Sequence, residues 1–493
     1  MKNKEIKFIY GIIIVLFVTF LVIPLGSLLL QSFYNGNEFS LINYINTYQT
    51  TGFGHTLKNS FIVSLTSAFV SVVLAFIIAY SINYTRMFKW LKKFVVNISM
   101  LPMLLPTITY GFAIIYSFGK QGLWTKVFGV QLFDIYGFNG LLLGYIIYTF
   151  PIAFMLINNA MSYIDKKFII VSKLMNDNYF KTFKNTLMIP LLGTLVAAFI
   201  QAFFLSFTDF GIPASVGGKY DVVASLLYNK MLGSIPDFAG GAVVAMTMLI
   251  PSIISIALLH YLEKYNIRYN KISTIELKKN YARDVVWGSL SVIINVIIVA
   301  ILTALLGTLV VYGGALVTAR SNLSKGLKKI IESIALITNT IPGMVLGIAY
   351  LLIFSGTPIQ NTYIIIILCN IVHFFSSPYL MMKNTLVKMN GSFETTAKLM
   401  GDNWLKTVTR IITLNALISL FEVFSYYFIN AMVTVSAVIF IAGARTMVMT
   451  TKIKELQHFA KFNEIFVLSI LILLINLIAK GAFKYIIKKK EGK

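Results

Sequence analysis

A ten-residue phrase occurs twice in this 493-residue chain, at 173–182 and again 225 positions later at 398–407, with seven of ten residues identical. The first copy reads Lys-Leu-Met-Asn-Asp-Asn-Tyr-Phe-Lys-Thr and the second Lys-Leu-Met-Gly-Asp-Asn-Trp-Leu-Lys-Thr. Each lies in a polar, basic gap between long apolar runs, whose own alphabet of Leu, Ile, Val and Phe cannot generate such a match. A self-match at fixed spacing is the signature of a repeated architecture. The chain therefore folds as two related halves, each presenting the same short stretch outside the apolar layer.

That layer is a membrane. Residues are 57% hydrophobic and 12% charged, with a mean hydropathy of +0.80, whereas soluble domains carry about a quarter charged residues. Apolar runs at 8–31, 57–83, 94–118, 139–162, 186–208, 238–262, 284–317, 330–355, 361–387, 411–440 and 462–486 are of the length that crosses a bilayer as helix. The fold class is all-α, a polytopic helical bundle. The net charge of +24 sits in alternate loops, the pattern of cytoplasmic loops rather than of nucleic-acid binding. The single cysteine, Cys369, allows no internal disulfide, and the four histidines show no ligand spacing. Lys2, Lys4 and Lys7 precede a first run too long for a signal-peptide core, which reads as a retained helix with its N-terminus inside.

The halves echo one another beyond the phrase. Leu91-Lys92-Lys93 recurs as Leu327-Lys328-Lys329, Pro106 with Gly111 as Pro342 with Gly347, and Asp237-Phe238 as Lys461-Phe462. The prolines are expected to kink spanning helices. The expected organisation is a first half over 1–265, a cytoplasmic linker over 266–283 and a second half over 284–493. The run 284–317 is long for one span and short for two. Eleven crossings from an inside N-terminus would leave Lys488, Lys489 and Lys490 outside, against the charge rule; the second half lacks a counterpart of the first helix.

No Gly-x4-Gly-Lys-Ser/Thr phosphate loop is present, nor a membrane chain of paired Asp, Glu and His, so energy must come from a partner. Each phrase offers an apolar pair, Tyr179-Phe180 or Trp404-Leu405, between Asp/Asn and Lys. This order suits a short helix dipole, and its exposed aromatic would anchor in a partner's pocket. Glu394-Thr395-Thr396-Ala397-Lys398-Leu399-Met400-Gly401 followed by Ile412-Thr413-Leu414-Asn415 resembles the EAA loop of ABC-importer permeases, Glu-Ala-Ala-x3-Gly followed by Ile-x-Leu-Pro. The first copy, from Ile170 through Asn176 to Pro190, lacks the Glu and has Asn in place of Gly. The whole chain is similar to fused two-half permeases of the ferric-iron, thiamine and 2-aminoethylphosphonate type, which usually have twelve helices. The resemblance implies the type I importer fold with two pseudo-symmetric halves and two cytoplasmic ATPase subunits, which would carry the ATP. It also implies an extracellular solute-binding protein, no cofactor on this chain and no catalysis by it. It assigns coupling to Lys173, Asn176, Asp177, Tyr179, Phe180, Glu394, Gly401, Asp402, Trp404 and Leu405.

Pathway candidates come from the residues themselves. Glu422 lies mid-segment, where an ionisable group needs polar neighbours, with Tyr426 and Asn430 following at helical reach. Either they line the solute route or they bond helix to helix. Asp209 aligns with Thr434 under the 225 offset near the outer mouth, or caps a helix end. His373 fits a packed side chain better than a ligand. The expected function is a plasma-membrane permease of an ATP-driven importer, with both termini cytoplasmic. Its solute would be small and polar, 2-aminoethylphosphonate or ferric iron from the resemblance alone. A secondary transporter with internal repeats is the alternative, which the duplicated soluble-facing phrase disfavours.

Overall fold

The computed structural model describes residues 4–35, 38–50, 52–85, 88–164, 172, 177–263, 286–321, 323–401, 403–443, 446–458 and 461–491. Apart from a two-residue hairpin pairing Tyr34–Asn35 with Glu38–Phe39, these residues form helices and their connections. Among the described residues, seven helices are long and apolar enough to cross a membrane, or ten if each bent pair counts once. The chain divides into two compact units, Ser40–Ser273 and a second made of Met1–Phe39 with Thr274–Lys493. The expected linker 266–283 lies outside the described residues.

The main helices in chain order are α1 (Glu5–Phe33), α2 (Phe53–Tyr84), α3 (Lys89–Ser99), α4 (Thr107–Phe118), α5 (Phe138–Tyr163) and α6 (Phe180–Thr208). There follow α7 (Gly211–Val216), α8 (Phe238–Glu263), α9 (Val286–Arg320), α10 (Lys325–Thr340) and α11 (Gly343–Phe354). The series closes with α12 (Tyr363–His373), α13 (Ser376–Lys388), α14 (Ser392–Leu399), α15 (Trp404–Thr407), α16 (Leu417–Val433) and α17 (Phe462–Glu491).

In the unit Ser40–Ser273, α2 packs along α5, and both pack on α6. The cause is a ridge of small residues on α2, buried at Ser60, Ser64, Ser67, Ser71, Ala75 and Ala79. Small residues let helix backbones approach where apolar burial gives no drive, because lipid is as apolar as leucine. Ser71 and Thr149 hydroxyls meet at 2.7 Å, and Asn83 Nδ2 donates to Asn158 Oδ1 at 2.9 Å. Such bonds contribute about 0.6 kcal/mol each within a membrane. The opposite face of α2 exposes Leu65, Phe69, Val73 and Ile77, as a lipid-facing surface does.

The unit made of residues 1–39 and 274–493 is built round α9, against which α12, α13 and α16 pack. The expected long run is thus one continuous helix of 35 residues from Val286 to Arg320. Helix α1 belongs here rather than with the half it precedes in the chain. It packs on α9 and α11; Tyr350 Oη donates to the Phe20 carbonyl at 2.5 Å, and the Phe17 and Phe375 rings lie 4.5 Å apart.

The halves repeat in detail. Lys92 Nζ donates to the Thr85 carbonyl at 3.3 Å, and Lys328 Nζ to the Ser321 carbonyl at 2.6 Å. Both partners shift by 236 positions (85 to 321, 92 to 328). Pro106 and Pro342 do not kink helices, as the sequence suggests. Each stands at the N-cap of a helix, α4 or α11, after a break, and α10 meets α11 at 103°. A proline fits there because the first N–H groups of a helix have no partner to lose.

Gly111 and Gly347, five residues on, sit where a chain segment crosses at contact distance. A Cβ on Gly347 would meet backbone atoms of Ala437, 2.9 Å from its Cα, whereas one on Gly111 would meet mainly the Ser215 side chain. The Ser215 hydroxyl can turn away, but its Cβ, 2.6 Å from the added atom, is fixed to its backbone as Ala437 is to its own. Gly347→Ala and Gly111→Ala should therefore each cost about 1–3 kcal/mol by overpacking and lower the melting temperature of the detergent-purified protein. An unchanged melting temperature in either variant would contradict this account.

Candidate functional site

Each copy of the repeated phrase folds as a capped turn of helix. Asn178 Oδ1 accepts from the Lys181 N–H at 2.8 Å, and Asn403 Oδ1 accepts from the Lys406 N–H at 2.9 Å. This is the N-cap bond that asparagine makes to the third helical residue. Tyr179 opens the first short helix and Trp404 the second, and Leu405 follows Trp404 in α15. Both then pass through one wide turn, 184–188 in the first copy and 408–412 in the second. Beyond it the copies differ: Pro190 starts a continuous run to Thr208, while at Asn415–Ala416 the chain bends by 70° into α16. Asn415 Nδ2 donates back to the Ile411 carbonyl at 2.8 Å, competing for an acceptor of the helix ladder.

The two loops are tied down differently. In the first, buried Ser172 donates to Asp177 Oδ2 at 2.8 Å, its hydroxyl lies 3.0 Å from that of Thr182, and Lys181 Nζ pairs with Asp177 Oδ1 at 2.6 Å. The bonds from Lys181 and Ser172 hold the Asp177 carboxyl below its ordinary range. Phe180 is left 73% exposed. In the second loop Ala397, which matches Ser172 at the 225 offset, is buried and has no hydroxyl to offer. Its anchor is Glu394, whose two oxygens accept from Arg320 Nε and Nη2 at 2.6 Å each. Gly401 turns the chain with φ +81°, a conformation that costs glycine nothing. Lys173, Asn176 and Asp402 lie outside the described residues.

Trp404 corrects an expectation. The phrase suggests an exposed aromatic anchor, yet Trp404 is only 9% exposed, and its indole Nε1–H has no partner among the described residues. Helices α14 and α15 pack on each other, and Ala397, Thr407 and Val408 are buried with Trp404. The turn at Gly401 brings α15 against α14, and the indole is buried within the chain rather than held out. The surface of this loop is instead given by Leu399 and Met400, 84% and 77% exposed. Both belong to the repeated phrase, matching Leu174 and Met175, yet the sequence carries no sign that this aliphatic pair rather than the aromatic faces outward.

Of the pathway candidates, Glu422, Tyr426 and Asn430 lie at four-residue intervals on α16, all part-buried. Tyr426 bonds to Ser377, and Asn430 Nδ2 donates to the Tyr426 carbonyl at 2.8 Å. Asp209 is buried and receives the Ile212 N–H at 2.9 Å, so it caps α7, and Thr107 also bonds to it. Its carboxylate is committed to holding α7. Thr434 is buried and its carbonyl accepts from Thr450 Oγ1 at 2.9 Å. His373 packs beside Gly343, its Nδ1 without a partner among the described residues, as are both amide atoms of fully buried Asn370. No three of His, Cys, Asp and Glu converge among the described residues.

Against known proteins, a family model described as "Binding-protein-dependent transport system inner membrane component" matches residues 71–267 and 311–492. Each matched stretch holds one copy of the phrase. The ferric transport system permease protein FbpB of Actinobacillus pleuropneumoniae is 26% identical over 516 aligned positions, covering 91% of this chain and 74% of that protein. A putative ferric transport system permease protein FbpB of Haemophilus influenzae is also 26% identical, covering 88% of this chain and 78% of its own length. A spermidine/putrescine transport system permease protein PotC homolog of Mycoplasma pneumoniae is 28% identical over 46% of this chain and 74% of that protein.

Proposed function

Because the chain belongs to the binding-protein-dependent transport system inner membrane component family, we propose that its two capped loops dock two cytoplasmic ATPase subunits. The coarse assignment is direct: the chain is a multi-pass membrane permease of an ABC importer, a non-catalytic transport component. The finer reading is that an extracellular solute-binding protein delivers the solute, that ATP is hydrolysed on the docked subunits, and that both termini and both loops face the cytoplasm. The observation that carries it is the recurrence of the Asn-capped turn in both units, at Asn178 and Asn403. Two like subunits need two like sockets.

Ferric iron is the first solute to test, since the two relatives that match nearly the whole chain are named for it; 2-aminoethylphosphonate is the competing solute. Glu422, Tyr426 and Asn430 are the proposed lining of the route in α16. The experiment co-expresses the permease with its neighbouring ATPase and binding protein and measures ATPase co-purification and radioactive iron uptake. Retention of ATPase, with uptake abolished when the ATPase cannot hydrolyse ATP, is the expected result. Glu422→Gln should lower uptake while the ATPase stays bound. Uptake that survives an inactive ATPase would overturn the ATP-driven reading, and phosphonate uptake without iron uptake would overturn the solute.

A further inference from the structure

Arg320 is the last residue of α9, and its guanidinium has five N–H donors. All are engaged. Nε and Nη2 hold the two Glu394 oxygens at 2.6 Å, Nη1 reaches the Leu386 and Met389 carbonyls at 3.4 and 2.9 Å, and Nη2 reaches the Asn390 carbonyl at 3.0 Å. Those carbonyls stand in the last turn of α13 and just beyond it, where a helix leaves acceptors without partners. One planar group thus ties together the end of α9, the end of α13 and the first turn of α14, the helix that leads into the repeated phrase. The Arg320 side chain is 7% exposed and that of Glu394 27%, so water competes weakly for these bonds.

At the matching positions the sequence of the first half offers no such pair. Under the 236 offset that relates Lys92 to Lys328 and Thr85 to Ser321, the place of Arg320 is taken by Tyr84; under the 225 offset, that of Glu394 by Ile169. The first loop is closed on itself through Ser172, Asp177 and Thr182, residues local to it. The duplicated cap is therefore common to both loops, whereas among the described residues the guanidinium bridge to two long helices is found at the second.

We infer that Arg320, through its fork to Glu394 and its grip on the α13 terminus, is the positioning residue that makes the second cytoplasmic loop move as one piece with α9 and α13. It thereby transmits the motion of the docked ATPase to the membrane. The inference rests on the docking reading above. It also reassigns Glu394: the carboxylate is turned to its own chain rather than held out for a partner. A lysine at 320 keeps the charge but has no planar fork and only three donors, so geometry rather than charge is the requirement.

The test uses the full complex with Arg320→Lys, Arg320→Ala, Glu394→Gln and the double variant Arg320→Lys/Glu394→Gln, measuring yield, ATPase retention, ATP hydrolysis and solute taken up per ATP. Both Arg320 variants should keep yield and ATPase retention near wild type, while solute per ATP falls about tenfold, within the usual range of coupling between sites. Since the two side chains act through one contact, the double variant should lose no more than the worse single one. Unchanged solute per ATP in Arg320→Ala would overturn the inference. So would full function in Arg320→Lys, which would make charge sufficient, or parallel loss of yield, retention and uptake, which would make the group merely structural. If the wild-type chain retains no ATPase and its uptake ignores ATPase inactivation, the docking reading itself fails and takes this inference with it; if wild type couples normally and the variants do too, only the clamp falls.

Discussion

Trp404→Ala should loosen the second repeated loop within the chain itself, and lose ATPase retention as a consequence. The indole is 9% exposed, in a loop whose other buried side chains near it in sequence, among the described residues, are small or β-branched: Ala397, Thr407 and Val408. Removing so large a group from a small core leaves a cavity its neighbours cannot fill, a cost of about 3 kcal/mol. The Asn403 cap ties the loop internally, whereas the Glu394 fork runs outward to Arg320 on α9. Protease cleavage within 388–410 should therefore rise by roughly a hundredfold, since each 1.4 kcal/mol is a factor of about ten in the open population. Trp404→Phe should recover most of the protection, because the indole Nε1–H has no partner among the described residues and phenylalanine keeps the ring's bulk. A Trp404→Ala protein with an intact, protected loop but no bound ATPase would restore the indole to the role of a partner's anchor.

What could be read in advance follows from where the information lies. Apolar run length and the two offsets, 225 and 236, are properties of the chain itself, so the helices and their pairing into repeats were legible. Asp-Asn before an apolar pair marked a short helix by its charge, whereas the caps made by Asn178 and Asn403 emerged from the structure. Partner choice among apolar helices was not, since hydropathy is nearly the same on every face; α1 was placed with the half it precedes, but Tyr350 and Phe375 hold it in the other unit. The prolines at 106 and 342 looked like kinks because a proline within an apolar run gives no sign that the helix restarts there. Arg320 passed for one more basic loop residue, 74 positions from the carboxylate it grips. The turn at Gly401 decided which side of the phrase faces inward, and so put Trp404 inside and Leu399 with Met400 outside.

That reversal sets the remaining prediction. Leu399 and Met400 are 84% and 77% exposed on a polar loop, and Phe180 is 73% exposed on the other. Isolated exposed apolar residues need no explanation, but these stand at the loops proposed to dock the ATPase. An adjacent pair there is the kind of apolar contact that dominates binding when seated in a partner's pocket. Burying a leucine side chain is worth about 1.5–3 kcal/mol, and a carboxylate in its place would also have to be desolvated. Leu399→Glu/Met400→Glu should thus weaken ATPase retention by about thirtyfold or more, at 1.4 kcal/mol per decade, and Phe180→Glu should act in the same direction. Because these side chains already face solvent, the permease should keep its yield and its protease resistance, unlike Trp404→Ala. All three substitutions together should leave a folded permease with no ATPase and no uptake. Wild-type retention in the triple variant would mean that the exposed faces of the two repeated loops are not where the ATPase binds, whatever else holds it.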